Sequence, residues 1–413
     1  MIGVPTGQEA DAMDGIWSQS RFESLFEDSC PHRRTGYGVP RGPRILSISK
    51  RTDIPAFYLP WLLERLEVGW VDVPNPMWSG RLRALVERFA PEASPRQRGR
   101  VQRRRGLDQA LTECPWGSGR DSEAGEAIDR VVARATTHVS LRREHVLGVV
   151  WWSKNYAVYL RSVERIDRFW KGIPQHFHFT INPRRSDLAW LEPDVPPLDE
   201  AKRQLAALAQ RGGAERVTWR YDPLVFWWED GVPRSSWDPP FFEDMAAFCQ
   251  AIGVRRCVTS IADHYRKFRW RMRRFYPERA LREPDAEERR RLAREMSEIA
   301  RRYGIVLEAC AESSLVQAEA VGFRPAACID ARGLAQVTEP RAASDRAFEN
   351  RAACGCHAHV DIGDYDWQEC GYGCVYCYAN PNHRYYPTDA SGGCQQGIVI
   401  TAHESPGFAQ EKP

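Results

Sequence analysis

Short apolar runs alternate along the chain with stretches of helical spacing. The runs at 45–49, 70–73, 146–152, 177–181, 217–221, 257–261, 305–310 and 326–329 read as strands. Between them, Phe241, Met245, Phe248, Cys249 and Ile252 share one helical face that ends at Gly253, and Leu292, Met296, Ile299 and Tyr303 do the same before Gly304. Asp285 followed three residues later by Glu288 has the spacing of a capping box that opens the second of these helices. Strand and helix alternating about eight times predict an α/β fold of parallel strands, a complete or partial (β/α) barrel of TIM type.

Parity within the runs separates two faces. Val217, Trp219 and Tyr221 oppose Thr218, Arg220 and Asp222; Ile305, Leu307, Ala309 and Ala311 oppose Val306, Glu308, Cys310 and Glu312; Phe177, Phe179 and Ile181 oppose His176, His178, Thr180 and Asn182. With helices on the apolar faces, the polar faces are expected to line a wet, functional cavity inside the barrel. An antiparallel sheet with one side in water would alternate in the same way, but helices between the strands favour the barrel. Arg51, Asp53, Lys154, Arg220, Asp222, Glu308 and Glu312 then fall at or just beyond the C-terminal strand ends. Charges gathered there suit a polar substrate or a charged cofactor, with Arg220, Asp222, Glu308 and Glu312 as catalytic candidates; a ring of ion pairs closing the barrel is the structural alternative.

Composition changes this picture little. Among 413 residues, 58 basic side chains against 55 acidic ones leave a net charge of +3, too small to imply a polyanionic partner. The barrel-like domain is expected over 44–389, with a flexible N-terminal extension at 1–43 and a flexible tail at 390–413. An Arg-rich stretch at 87–137 reads as a long insertion after the second strand, a solvated loop more than a nucleic-acid surface. The run of arginine and aromatic residues over 265–275 reads the same way, as a surface helix. No apolar run approaches the roughly 20 residues that cross a bilayer, and the start lacks the order of a secretory signal, so no membrane association and a cytoplasmic location are expected.

The twelve cysteines crowd toward the C-terminus, which suits metal binding in a reducing compartment better than a disulfide framework. Cys370, Cys374 and Cys377 have a C-x3-C-x2-C spacing that presents three thiolates from one short loop, with Gly371 and Gly373 allowing it to turn. Three ligands to a four-iron cube would leave one iron open, although zinc also accepts closely spaced cysteines. Cys354 and Cys356, beside His357 and His359, could serve a second metal, the first cluster or a redox step. Cys249 reads as core, and Cys310 and Cys328 as packing residues or a hydrogen-atom donor.

The three-cysteine spacing with Tyr376 before the last cysteine resembles the motif of radical S-adenosylmethionine enzymes. The longer stretches C-G-C-x4-D-I-G-x-Y from Cys354 to Tyr365, G-C-V-Y-C-Y-A-N from Gly373 to Asn380, S-K-R-T-D-I-P-A-F-Y from Ser49 to Tyr58 and V-T-W-R-Y-D-P from Val217 to Pro223 resemble the bacterial domain-of-unknown-function family eighteen-forty-eight, over about 44–382. The resemblance implies a [4Fe-4S] cluster on the loop at 354–380 that binds S-adenosyl-L-methionine. It also implies Tyr376 against the adenine, Arg51, Asp53, Lys154 and Asn155 near the cofactor, and an electron donor of flavodoxin or ferredoxin type. In the radical superfamily the cysteines follow the first strand; here they follow the last, which closure of the sheet would bring beside the first. The implied activity is reductive cleavage of the cofactor to a 5'-deoxyadenosyl radical that abstracts hydrogen from a substrate, whether a small molecule or a nucleic acid. An electron-transfer or zinc protein, and a carboxylate-based barrel hydrolase with a structural metal, are the competing readings.

Overall fold

The computed structural model describes residues 43–74, 136–317, 322–335, 353–365, 368–379, 383–385 and 398–400. The expectations for 1–43, for most of the Arg-rich stretch at 87–137 and for most of the tail lie outside them. The chain divides into two units, one of residues 1–41 and 71–139, the other of 42–70 and 140–413. In the first, the described residues belong to a two-stranded sheet of Trp70–Pro74 with Thr136–Ser140. The run at 70–73 is therefore a strand, but its hydrogen-bonded neighbour is the far end of the insertion and not the large sheet.

The second unit is built on an eight-stranded parallel sheet: β1 (Arg44–Ile48), β2 (Val146–Ser153), β3 (Gln175–Thr180), β4 (Val217–Arg220), β5 (Arg256–Thr259), β6 (Val306–Ala309), β7 (Phe323–Pro325) and β8 (Val360–Asp361). From β1 to β7 each strand pairs with the next, and β8 returns to pair with the other edge of β1. This is the winding of a (β/α) barrel, but no ladder joins β7 to β8, so the sheet is open at that seam. The sequence places the last strand at 326–329. The strand lies just before it, at Phe323–Pro325, and 326–330 folds over the inner face of the sheet, where the carbonyl of Cys328 accepts a hydrogen bond from His178 Nε2 at 2.6 Å.

Helices take the apolar faces, as parity requires. Trp151 of β2 packs edge-on against Tyr159 of α2 (Ala157–Arg161) and Trp170 of α3 (Val163–Trp170), after α1 (Leu59–Val68) has followed β1. After α4 (Leu198–Gly212), α5 (Pro239–Ala251) sets Phe242 against Trp219 and Tyr221. The buried stripe of α5 is Phe242, Met245, Ala246 and Cys249, one position round from the face predicted through Phe241 and Phe248. Next come α6 (Arg266–Phe275) and α7 (Ala286–Arg302), the latter opened by the expected box between Asp285 and Glu288. Burying large aromatic side chains contributes roughly 1.5–3 kcal/mol each, so this outer layer supplies much of the cohesion.

The inner face is polar, but it is packed instead of forming the broad wet cavity that parity suggested. Trp152 stacks on His178 with centroids 4.3 Å apart and donates to Ser47 Oγ at 3.0 Å, while the Arg220 guanidinium lies 5.2 Å from its ring centroid. Polar groups that leave water cost free energy unless they find partners, and here they find one another and the inward segment 326–330. A small cavity of about 120 Å³ lies at the end where the strands begin, lined by His176, Arg216, Arg256, Cys328 and Asp330 among others.

Candidate active site at the mouth of the sheet

At the opposite end, where the strands stop, the cysteine loop docks onto segments that follow β1, β3 and β5. Tyr58 donates from its hydroxyl to the carbonyl of Glu369 at 2.7 Å, and Tyr378 to that of Lys50 at 2.8 Å. Val375 N donates to Leu191 O at 3.1 Å, and Asp194 N to Tyr372 O at 3.3 Å. Arg271 of α6, 1% exposed, donates to the carbonyls of Val375 (3.0 Å) and Cys377 (2.6 Å). Gly373 takes a φ of +66° to turn the loop, and a side chain at Gly371 would meet the Phe57 ring at 2.9 Å. A motif near the end of the sequence thus sits over the mouth beside the segment after β1.

The turn after β1 is held by Asp361, at the end of β8. Its carboxylate accepts from Ser47 Oγ (2.7 Å), Ser49 Oγ (2.5 Å), Lys50 N (2.6 Å) and Gly363 N (3.1 Å). Arg51 joins the same corner, donating to the carbonyl of Gly363 at 3.2 Å. Asp53 lies deeper: it accepts from Ser153 Oγ at 2.8 Å, Lys154 N at 2.9 Å and Ala56 N at 3.0 Å. Burial nevertheless raises its carboxyl to about 6, near the range of a proton donor and acceptor at neutral pH. Asp53 is also a charged neighbour of the Cys370 thiol.

Glu192 is the second centre. It accepts from Lys154 Nζ (2.8 Å), Arg184 Nη1 (2.7 Å), Asn182 Nδ2 (2.6 Å) and the Tyr376 hydroxyl. Burial works against its charge, but Lys154 and Arg184 hold it down at about 2, so it is an anion that fixes the cation and phenol around it. A third group follows β4 and β5: Arg220 Nη2 donates to Asp222 Oδ2 at 2.8 Å, and Ser260 Oγ to Asp222 Oδ1 at 2.5 Å.

Not every candidate residue shares this mouth. Glu308 forms a two-pronged pair with Arg256 at the start of β5, with contacts of 3.1 and 2.8 Å, so it belongs to the opposite end of the inner face. Glu312 lies beyond β6, accepting weakly from Ile261 N at 3.4 Å. The side-chain oxygen of Asn155 is engaged locally, accepting from Ala157 N and Gln204 Nε2. The structure therefore does not bring Glu308 together with Asp222 and Glu312. Glu192 and Asp361, which organise the mouth, were missed by sequence reading; the D-I-G stretch was legible, but nothing local marked Glu192.

The thiols fall into two groups. Cys370, Cys374 and Cys377 influence one another electrostatically across the loop, and burial pushes the Cys374 thiol up to about 12. Cys356 instead lies buried with Cys328 near Ile45 and Val150, with Cys310 and Cys354 against the same cluster. Among the described residues, no group of three or more histidine, cysteine, aspartate or glutamate side chains is placed to hold a single metal ion. A polynuclear cluster spreads its thiolates more widely than one ion does, and three thiols on one loop, Cys374 buried and Cys370 and Cys377 half-buried, are a donor set of the kind it takes.

The sequence pattern of one family, Domain of unknown function (DUF1848), matches residues 45–88 and 124–379. The chain belongs to that family. The matched span contains every residue of the mouth described above. No curated protein matches the sequence. Among solved structures, the crystal structure of D-hydantoinase is similar at 8% identity and a TM-score of 0.24, covering 45% of this chain and 39% of that one. No helix of the described residues is long and apolar enough to cross a membrane.

Proposed function

We propose that this DUF1848 protein is an iron-sulfur enzyme of radical S-adenosylmethionine type, with its active site at the mouth of the sheet. The observation that carries the reading is the docking of Cys370, Cys374 and Cys377 over that mouth, beside Asp53 and the Lys154–Glu192–Tyr376 group. Those three cysteines would hold a [4Fe-4S] cluster, which supplies the electron for reductive cleavage of S-adenosyl-L-methionine.

The chain's own residues orient and enclose. Arg271 and Tyr58 fix the loop by its carbonyls, and Glu192 sets Lys154 and the Tyr376 hydroxyl in place. Asp53 can hold or release a proton near neutral pH. Arg220, Asp222 and Ser260 offer a polar substrate both a cation and a carboxylate. The substrate class, small molecule or nucleic acid, is read from turnover. The test is anaerobic reconstitution with iron and sulfide, then reduction by dithionite with S-adenosyl-L-methionine present. Formation of 5'-deoxyadenosine, lost on replacing the three cysteines with alanine, is the expected result. A reconstituted cluster whose electron paramagnetic spectrum ignores saturating cofactor would favour plain electron transfer.

A further inference from the structure

Cys310 and Cys328 stand apart from the three-cysteine loop and come from different segments. β6 and β7 pair in parallel, with Ala309 opposite Pro325, and Ala326 N donates to Ala309 O at 3.0 Å. The two cysteines follow this ladder, and their sulfurs lie 3.6 Å apart. Side-chain rotation is what would bring the two sulfurs from that separation to the roughly 2.05 Å of a disulfide.

Two further features distinguish Cys328. Arg220 Nη1 donates to its sulfur at 3.2 Å, a contact that works against the neighbouring Cys356 and the burial that push this thiol up. Cys328 also lines the cavity of about 120 Å³ at the strand-start end, with Arg216 and Arg256 beside it. That space holds a few water-sized molecules and approaches Cys328 from the end of the sheet opposite the mouth. Cys356, the rival partner, accepts from Ile329 N at 3.4 Å and is also a hydrogen-bonded neighbour of Cys328 and Cys354.

We propose that Cys328 and Cys310 form a reversible redox pair oxidised by a small hydroperoxide that enters through this cavity. The Cys328 sulfur attacks the hydroperoxide: an S–O bond forms, the O–O bond breaks, and the alcohol leaves with the proton given up by Cys328. Cys310 then attacks the Cys328 sulfenic acid: the S–S bond forms, the S–O bond breaks, and hydroxide leaves as water with the Cys310 proton. Two thiols lose two electrons, and the hydroperoxide is reduced to one alcohol and one water. A low-molecular-weight dithiol restores the pair by exchange. The proposal stands independently of the cluster at the mouth.

The test treats the reduced full-length chain with hydrogen peroxide, blocks remaining thiols with N-ethylmaleimide and cleaves after glutamate. Glu312 and Glu319 lie between the two cysteines and separate them into different peptides. Mass spectrometry is expected to find the Cys310–Cys328 linkage about tenfold above any Cys328–Cys356 linkage. In Cys310→Ser the linkage disappears, and in the Cys310→Ser, Cys356→Ser double variant Cys328 advances to the sulfinic acid, because neither neighbouring thiol remains to resolve it. A predominant Cys328–Cys356 linkage, both thiols still fully alkylated after peroxide, or bound zinc that protects the pair would each overturn the proposal. Should Cys310→Ser fail to fold, the linkage map of the parent chain decides alone.

Discussion

The two thiol groups of this protein arise in opposite ways. Cys370, Cys374 and Cys377 lie within eight residues, and their grouping needs only a loop that can turn at Gly373. Cys310, Cys328 and Cys356 come from the ends of two neighbouring strands and a segment that returns along the chain, and their grouping exists only because the sheet has formed. The first set sits over the strand ends among Asp53, Lys154 and Glu192; the second sits within the inner face, against Arg220 and a small cavity. Local spacing makes the first group, the proposed cluster ligands, whereas tertiary packing makes the second, the proposed redox pair.

The most direct way to break this comparison is by iron content. Replacing Cys370, Cys374 and Cys377 with alanine should lower iron after reconstitution at least about tenfold, while the same change at Cys310, Cys328 and Cys356 leaves it near parental. Equal losses in the two variants would merge the groups into one metal site. Next in size is the clamp on the loop: Arg271→Met strands the carbonyls of Val375 and Cys377 and should cost about 2–4 kcal/mol in denaturant unfolding. A change below about 0.5 kcal/mol would mean that the loop is held by other contacts.

The separation of the two ends of the sheet gives a third test. Arg220→Met should slow cofactor cleavage about tenfold, about 1.4 kcal/mol in the barrier, because Arg220 orders Asp222 at the mouth. Glu308→Gln, which touches Arg256 at the far end, should leave cleavage unchanged and cost about 1–3 kcal/mol of stability. Similar slowing in both would mean that the inner face works as one site.

The smallest effect is expected from pH. Burial, with Arg256 and Arg216 nearby, lowers the His176 imidazole to about 3, and burial beside His176 and Arg220 lowers His178 well below its usual value. Below pH 6.5 the unfolded chain takes up protons that the folded chain refuses, so this contribution is complete above 6.5 and is lost as pH falls toward 3. Between pH 6.5 and 5.5 the loss should be about 1 kcal/mol for each histidine, and His176→Asn should roughly halve it in urea titrations at stepped pH. An unchanged slope in that variant would place the pH dependence elsewhere.

How much of this could be read from the chain alone follows from the range of each interaction. Strand parity over 177–181 and 217–221 sorted inner from outer side chains, because a strand's two-residue period is written into consecutive positions. The box at Asp285 and Glu288 and the three-cysteine loop were legible for the same local reason. The run at 326–329 misled, since an apolar stretch has the same composition whether it forms a strand or fills the inner face beside one. β8 is only Val360 and Asp361, too short for any period to show.

By itself the sequence determined the parallel α/β plan, the polarity of each sheet face and the spacing of the three cysteines on their loop, all set by contacts a few residues apart. Only the tertiary structure decided that Asp361 holds the turn after β1 from more than 300 residues away, that Glu192 gathers Lys154, Arg184 and Tyr376, and that Cys310 meets Cys328. Such contacts depend on which strand ends and loops the winding of the sheet brings together, and no local pattern in the chain encodes that adjacency.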